Sequence, residues 1–295
     1  VATIVSRHDF PAGGAAAEAN AARAESLGRM LDRLETSEMS RGRALNSALT
    51  VAKSYCADDS DASKFQTWES WVIAMQIGCA LFDSATASEG PVACRIGVAG
   101  EVRNLPATGP TSYTHAGAWV TSVYLATICR ENDRLDRLMR VPVSFLRESS
   151  LRTSGTELDE YIYAWVEALQ KYWFRQADGM WSALVSAIDG TNPETTRAVD
   201  REMMLSLLYP PLELFQLYNR GDTERFNTSL AQALTWHKQY WTRDEARLLS
   251  SDGLVALGPL AIACMAYDND FPIEVESPYL PKELLQFGWA GEADT

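Results

Sequence analysis

Apolar positions recur at helical spacing along most of the chain. Starting from Leu158, they fall at Tyr161, Ile162, Trp165, Leu169, Tyr172 and Trp173, offsets of 3, 4, 7, 11, 14 and 15 residues. Those offsets place them on one face of an amphipathic helix. The same period predicts helices over residues 15–35, with Leu27, Met30, Leu31 and Leu34 inward, and over 40–56, with Leu45, Leu49 and Ala52 inward. Over residues 64–84, Phe65, Trp68, Trp71, Val72, Met75, Cys79 and Phe82 form one apolar face. Residues 114–129, 134–148, 201–218 and 226–241 follow the pattern, with Pro142 limiting one helix and Pro210-Pro211 breaking another. A helix carrying Trp181, Leu184, Val185 and Ile188 stops at Gly190, and the apolar run 254–266 predicts a central helix beginning near Gly258-Pro259. One segment departs from this period. Val92, Cys94, Ile96 and Val98 alternate, and Ala99-Gly100 then turns into Val102 and Asn104, the pattern of a short β-hairpin within 91–105. Residues 1–13 read as a loose arm, and the proline-interrupted stretch from Phe271 to Trp289 as an extended tail pinned to the body.

Between the helices, polar turns return at nearly constant spacing. They are Arg130-Glu131-Asn132-Asp133, Gln176-Ala177-Asp178-Gly179, Asn219-Arg220-Gly221-Asp222 and Tyr267-Asp268-Asn269-Asp270. Counted on Asp133, Asp178, Asp222 and Asp268, the steps are 45, 44 and 46 residues, the size of a helical-hairpin repeat. The predicted fold is mostly all-α: stacked antiparallel helical hairpins, solenoid-like, with one short β-hairpin. A soft boundary at Leu105–Pro110 divides an N-terminal helical part, 1–110, from a hairpin-repeat part, 111–295, within one compact unit. Stacked hairpins usually offer a surface to a partner rather than a catalytic cleft.

Charge sharpens this picture. The net charge of −13 argues against nucleic acid as a ligand, because phosphate must be neutralised by Lys and Arg. It suits a basic protein partner. No run approaches eighteen apolar residues, so no membrane span is expected, and no signal sequence is read at the start of the chain. The five cysteines are scattered without a CxxC pair and read as reduced, buried thiols of a cytoplasmic protein.

Candidate chemistry is sparse. His115 and His237 each stand four residues before a tryptophan, Trp119 and Trp241, so each ring is expected beside an indole on a shared helix face. With Glu69 and Glu160 they are the polar groups from which a pocket between helical layers would be built, the set an enzyme or small-molecule binder would need. No HExxH, calcium loop, GxSxG or phosphate loop occurs, so no metal, cofactor or catalytic residue is assigned. Asp58-Asp59-Ser60-Asp61 reads as a loop that caps a helix.

Several segments, in order, resemble the immunity protein 49 family of bacterial polymorphic toxin systems. They are Arg7-His8-Asp9-Phe10-Pro11, Lys64-Phe65-Gln66-Thr67-Trp68-Glu69-Ser70-Trp71-Val72, Cys94-Arg95-Ile96, Leu105-Pro106-Ala107-Thr108-Gly109-Pro110 with Tyr113-Thr114-His115-Ala116-Gly117, and Asp159-Glu160-Tyr161. Ala256-Leu257-Gly258-Pro259-Leu260-Ala261-Ile262-Ala263-Cys264, Ile273-Glu274-Val275-Glu276-Ser277 and Tyr279-Leu280-Pro281 complete the set. The resemblance implies a mostly helical protein that protects its producer from a toxin encoded nearby, and it carries no catalytic residues with it. The leading expectation is therefore an immunity-type protein that contacts a cognate, basic toxin through an acidic face, with Asp133, Asp178, Asp222 and Asp268 as contact residues. The alternatives are the pocket protein described above and a structural adaptor or homo-oligomer with an exposed aromatic patch.

Overall fold

In the computed structural model, residues 2–11, 13–97, 100–154, 158–194 and 196–289 are described. After β1 (Thr3–Ile4), the helices α1 (Gly14–Leu31), α2 (Glu38–Tyr55) and α3 (Phe65–Thr86) form an N-terminal layer in which α2 packs on both neighbours. Ser37 caps α2 by accepting the Ser40 N–H at 3.2 Å, satisfying a donor that helix geometry leaves without an acceptor. Asp59 does similar work ahead of α3, where its carboxylate accepts the Ser63 and Lys64 N–H groups at 3.0 and 2.9 Å. α3 is buried on nearly every side, so its one interior amide needs a partner: Gln76 Oε1 accepts the Gly97 N–H at 2.7 Å. That bond ties α3 to the hairpin of β2 (Val92–Arg95) and β3 (Val102–Leu105), which pair antiparallel with Val92 opposite Leu105. Of the turn predicted at Ala99-Gly100, Ala99 lies outside the described residues, as does Val98 before it.

α4 (Ala116–Ile128), α5 (Asn132–Met139), α6 (Val143–Ser154), α7 (Glu160–Trp173) and α8 (Ala177–Asp189) follow. The single helix predicted over 134–148 is two, because Pro142 stands between α5 and α6 and offers no N–H to continue the first. The break predicted at Pro210-Pro211 is instead absorbed. Residues 201–220 run continuously through α9 (Arg201–Met203), a π segment Met204–Leu208 and α10 (Tyr209–Arg220). Both prolines occupy the first turn of α10, where a missing N–H is tolerated, and a π turn closed by the Tyr209 N–H on the Met204 carbonyl precedes them. α11 (Thr223–Trp241), α12 (Glu245–Leu248), a 3-10 turn Ser251–Leu254, α13 (Leu257–Tyr267), β4 (Val275–Glu276) and α14 (Lys282–Leu285) complete the chain.

The four polar turns are one stereochemical motif. Arg130, Arg175, Gly221 and Asp270 all take left-handed backbone, with φ of 56, 57, 69 and 56°. In each, the next N–H reaches back five residues: Glu131 to Ala126 (3.0 Å), Gln176 to Lys171 (2.8 Å), Asp222 to Leu217 (3.1 Å) and Phe271 to Ala266 (3.0 Å). This is the Schellman closure, which satisfies carbonyls at a helix end and turns the chain through one left-handed residue. The rhythm in the sequence is thus a repeated backbone event, and only Gly221 among the four is the residue type that adopts it without steric cost.

Neighbouring turns also touch. Trp173 Nε1 donates to Asp136 at 3.0 Å, the Tyr172 and Tyr218 hydroxyls are 2.9 Å apart, and the Tyr218 and Phe271 rings pack edge to face at 5.8 Å. Arg130 and Asp268, 3.0 Å apart, then join the fourth turn to the first. In the same way α13 packs against both α10 and α4. The stack of hairpins curls until its ends meet. Its centre is aromatic: Trp165 Nε1 donates to the Tyr124 hydroxyl at 3.0 Å, and Trp165 meets Phe215 edge to face at 5.1 Å. A Cβ at Gly258 would lie 2.5 Å from Pro211 Cγ and 3.3 Å from Tyr124 Cε2, so α13 reaches both helices only because that position has no side chain.

The N-terminal arm, expected to be loose, is fixed. β1 pairs in parallel with β4, Thr3 opposite Val275 and Ile4 opposite Glu276. Arg7 donates to the Cys56 and Ala57 carbonyls at 2.6 and 3.1 Å, and the Tyr279 hydroxyl accepts the His8 N–H at 3.1 Å. The tail is pinned as expected: Trp289 stacks on Trp68 at 5.7 Å and donates to the Ala62 carbonyl at 2.9 Å.

Candidate partner-binding surface

Four of the five side chains singled out for a pocket, His115, Trp119, Glu160 and His237, have local partners of their own. His115 precedes the first residue of α4, and its Nδ1 accepts the Gly117 and Ala118 N–H groups at 3.1 and 3.3 Å. It is an N-cap, so the helix-face rule that would set it over Trp119 does not apply, and burial lowers its pKa. Trp119 is fully buried and donates to the Leu138 carbonyl at 2.8 Å. Glu160 opens α7 and is held by Arg147 through two bonds of 2.7 and 2.6 Å, which keep its carboxyl below the ordinary range. Glu69 is half-buried on α3, where burial raises its pKa. His237 does lie beside Trp241, with ring centroids 6.1 Å apart. It is buried, and its Nε2–H donates to the Gly253 carbonyl at 3.0 Å; burial pulls its pKa to about 3. None of the five side chains lines any of the five best-formed clefts among the described residues. The polar set expected to build a pocket is thus absent from these clefts.

The turn carboxylates divide into two kinds. Asp133 and Asp178 sit exposed in the first turns of α5 and α8, where the helix dipole favours a negative charge. Asp222 caps α11 by accepting the Arg225 N–H at 3.1 Å, and Asp268 is held by Arg130. The latter two are parts of the scaffold.

Beside the fourth turn, the returning tail leaves a cleft of about 750 Å³. Its lining includes the apolar residues Phe271, Ile273, Val275 and Leu280, and also Asp61, Asp270, Glu276 and Lys282. β1 supplies Ile4, which is 76% exposed. The walls are fixed by main-chain bonds, Thr3 N–H to the Glu274 carbonyl at 2.8 Å and Glu283 N–H to the Asp61 carbonyl at 2.9 Å.

The four turns, helices α4 to α13 and most of this cleft fall between residues 59 and 284. That is the span matched by the family model for immunity protein 49. The chain belongs to the immunity protein 49 family. No curated protein and no solved structure matches it. In this immunity protein 49 chain, β1, α1 and α2 lie outside the matched span, yet they complete the cleft and the N-terminal layer. All five cysteines are buried and free, with burial pushing Cys56 and Cys79 up to about 12. Among the described residues no group of three or more His, Cys, Asp or Glu is placed to hold a metal ion, and no helix is long and apolar enough to cross a membrane.

Sequence reasoning missed Arg130 and the cleft. Arg130 sits in a turn that the spacing did mark, and a bulky residue in a left-handed position is held there only by strong side-chain contacts. The cleft joins Ile4 to residues near 275, and nothing local in the sequence links the two.

Proposed function

We propose that this immunity protein 49 member binds and neutralises a cognate bacterial toxin by direct contact, in the cytoplasm of the producing cell. The observation that carries the reading is the family match over residues 59–284. The charge of −13 and the exposed carboxylates Asp133 and Asp178 support a basic partner, which complementary charge would steer to this surface. The ring of hairpins supports it as well, since a preformed scaffold loses little conformational freedom on binding.

The test is co-expression of the full chain with the toxin domain encoded beside it, followed by stopped-flow association of the purified pair. Growth should be restored, and Asp133→Lys with Asp178→Lys should slow association about 10-fold at low salt. A toxin that still arrests growth and shows no binding to the full chain refutes the proposal. An unchanged association rate removes these two turns from the interface.

A further inference from the structure

We infer that the cleft beside the fourth turn seats an extended, lysine- or arginine-bearing segment of the protein partner. The inference rests on the partner-binding reading above and names where that partner is gripped.

Charge comes first. Asp61, Asp270 and Glu276 share the cleft lining with a single cation, Lys282. Fifteen ion pairs among the described residues engage carboxylates elsewhere, and none involves these three. The floor comes second: Phe271, Ile273 and Val275 give an apolar surface between the carboxylates. Lys and Arg carry an apolar stem that lies along such a surface and a cationic head that stays at its wetter edge.

The backbone then selects an extended segment. In the β1–β4 pair, the N–H groups of Thr3 and Val5 bond to the Glu274 and Glu276 carbonyls at 2.8 and 3.0 Å. In a parallel ladder this alternation turns the N–H and C=O of Ile4 away from β4. No main-chain hydrogen bond between loops or turns engages Ile4 among the described residues. Ile4 is thus the open edge of a sheet whose side chain is bare, without the charge or proline that usually guards such an edge. An added strand would take main-chain bonds from Ile4 and place alternate side chains into the cleft.

Two measurements on the full chain test this. In the first, a blocked alternating arginine–valine hexapeptide is titrated into isotopically labelled protein and followed by amide resonances. The expected shifts centre on Ile4, Asp61, Asp270 and Glu276, weaken with salt, and vanish in the isosteric variant Asp61→Asn, Asp270→Asn, Glu276→Gln. Shifts centred elsewhere, or equal binding to that variant, overturn the inference. In the second, the toxin domain encoded beside the gene is bound to wild type and to the same variant. Dissociation should speed about 30-fold or more, the signature of a lost anchor rather than of lost steering. An unchanged dissociation rate overturns the inference while leaving the immunity reading intact. A hexapeptide that titrates the cleft of a protein indifferent to the toxin overturns the immunity reading instead and leaves the cleft as a site for a basic segment.

Discussion

Replacing Arg130 with Ala should open the ring at its seam. The guanidinium makes paired bonds to Asp268, Nε to Oδ2 at 3.0 Å and Nη2 to Oδ1 at 3.0 Å. It also donates to the carbonyls of Ile128 (2.7 Å), Leu284 (2.6 Å) and Leu285 (2.6 Å). The side chain is 10% exposed and that of Asp268 40%, so the two interactions weigh differently. The ionic pair, open to water, contributes about 0.5–1 kcal/mol. The two tail carbonyls lose charged donors in a buried setting, roughly 1.5 kcal/mol each. The expected loss is therefore about 4 kcal/mol, a large share of the ~5–15 kcal/mol typical of a folded protein. Arg130→Gly should recover about 1 kcal/mol relative to Arg130→Ala, because glycine accepts the left-handed backbone without a Cβ. Asp268→Asn should cost about 1 kcal/mol or less, since it removes charge and leaves the carbonyl bonds. Urea unfolding followed by tryptophan fluorescence, with circular dichroism as a second probe, gives all three values. An Arg130→Ala protein within 1 kcal/mol of wild type would refute the seam.

Four further expectations follow from the interior. Gly258→Ala should destabilise by about 1–3 kcal/mol, since the Cβ meets the rigid Pro211 ring and that overpacking outweighs a helix-propensity gain of ~1 kcal/mol; the thermal midpoint reads it. Tyr124→Phe should cost about 1–3 kcal/mol in urea unfolding, because it leaves the buried Trp165 N–H without an acceptor. His237 is neutral when folded, with a pKa near 3, and takes up a proton near 6.5 when unfolded, so it contributes fully above pH 6.5 and loses that contribution as pH falls toward 3. Between pH 6.5 and 4.5 this should remove about 2–3 kcal/mol that a His237→Gln protein does not lose, as paired urea curves would show. The five thiols are all buried, and burial pushes four of them, Cys56, Cys79, Cys94 and Cys264, up to about 11 or 12; all five should resist alkylation at pH 8 until denaturant is added, which intact-mass spectrometry reports.

The helices were legible because each buries one face, and burial at a period of 3.6 leaves its mark on the residues. The tryptophans of α3 and α7 are the clearest case. The turn rhythm was legible too, though only as spacing, since the left-handed residue in three of the four turns is an Arg or an Asp rather than a Gly. Ring closure was not legible. It depends on Arg130 meeting Asp268 and on Gly258 admitting Pro211, contacts between residues far apart whose individual types are ordinary. The same limit hid the arm, whose order comes from main-chain pairing with β4 and from Tyr279 on His8. His115 shows a subtler failure: the His-x-x-x-Trp spacing was real, but the helix begins one residue too late for it to act as a face.

The pairing of Thr3 with Val275 also has a temporal meaning. During synthesis β1 leaves the ribosome well before β4 and has no mate until Val275, 272 residues after Thr3, has followed it. Helical hairpins can form as they emerge, but the β1 wall and the tail wall of the cleft come together only once β4 has emerged. A nascent or truncated chain would carry most of the helical body and none of the assembled cleft. The cleft is thus assembled in a single late step, when β4 emerges and meets β1.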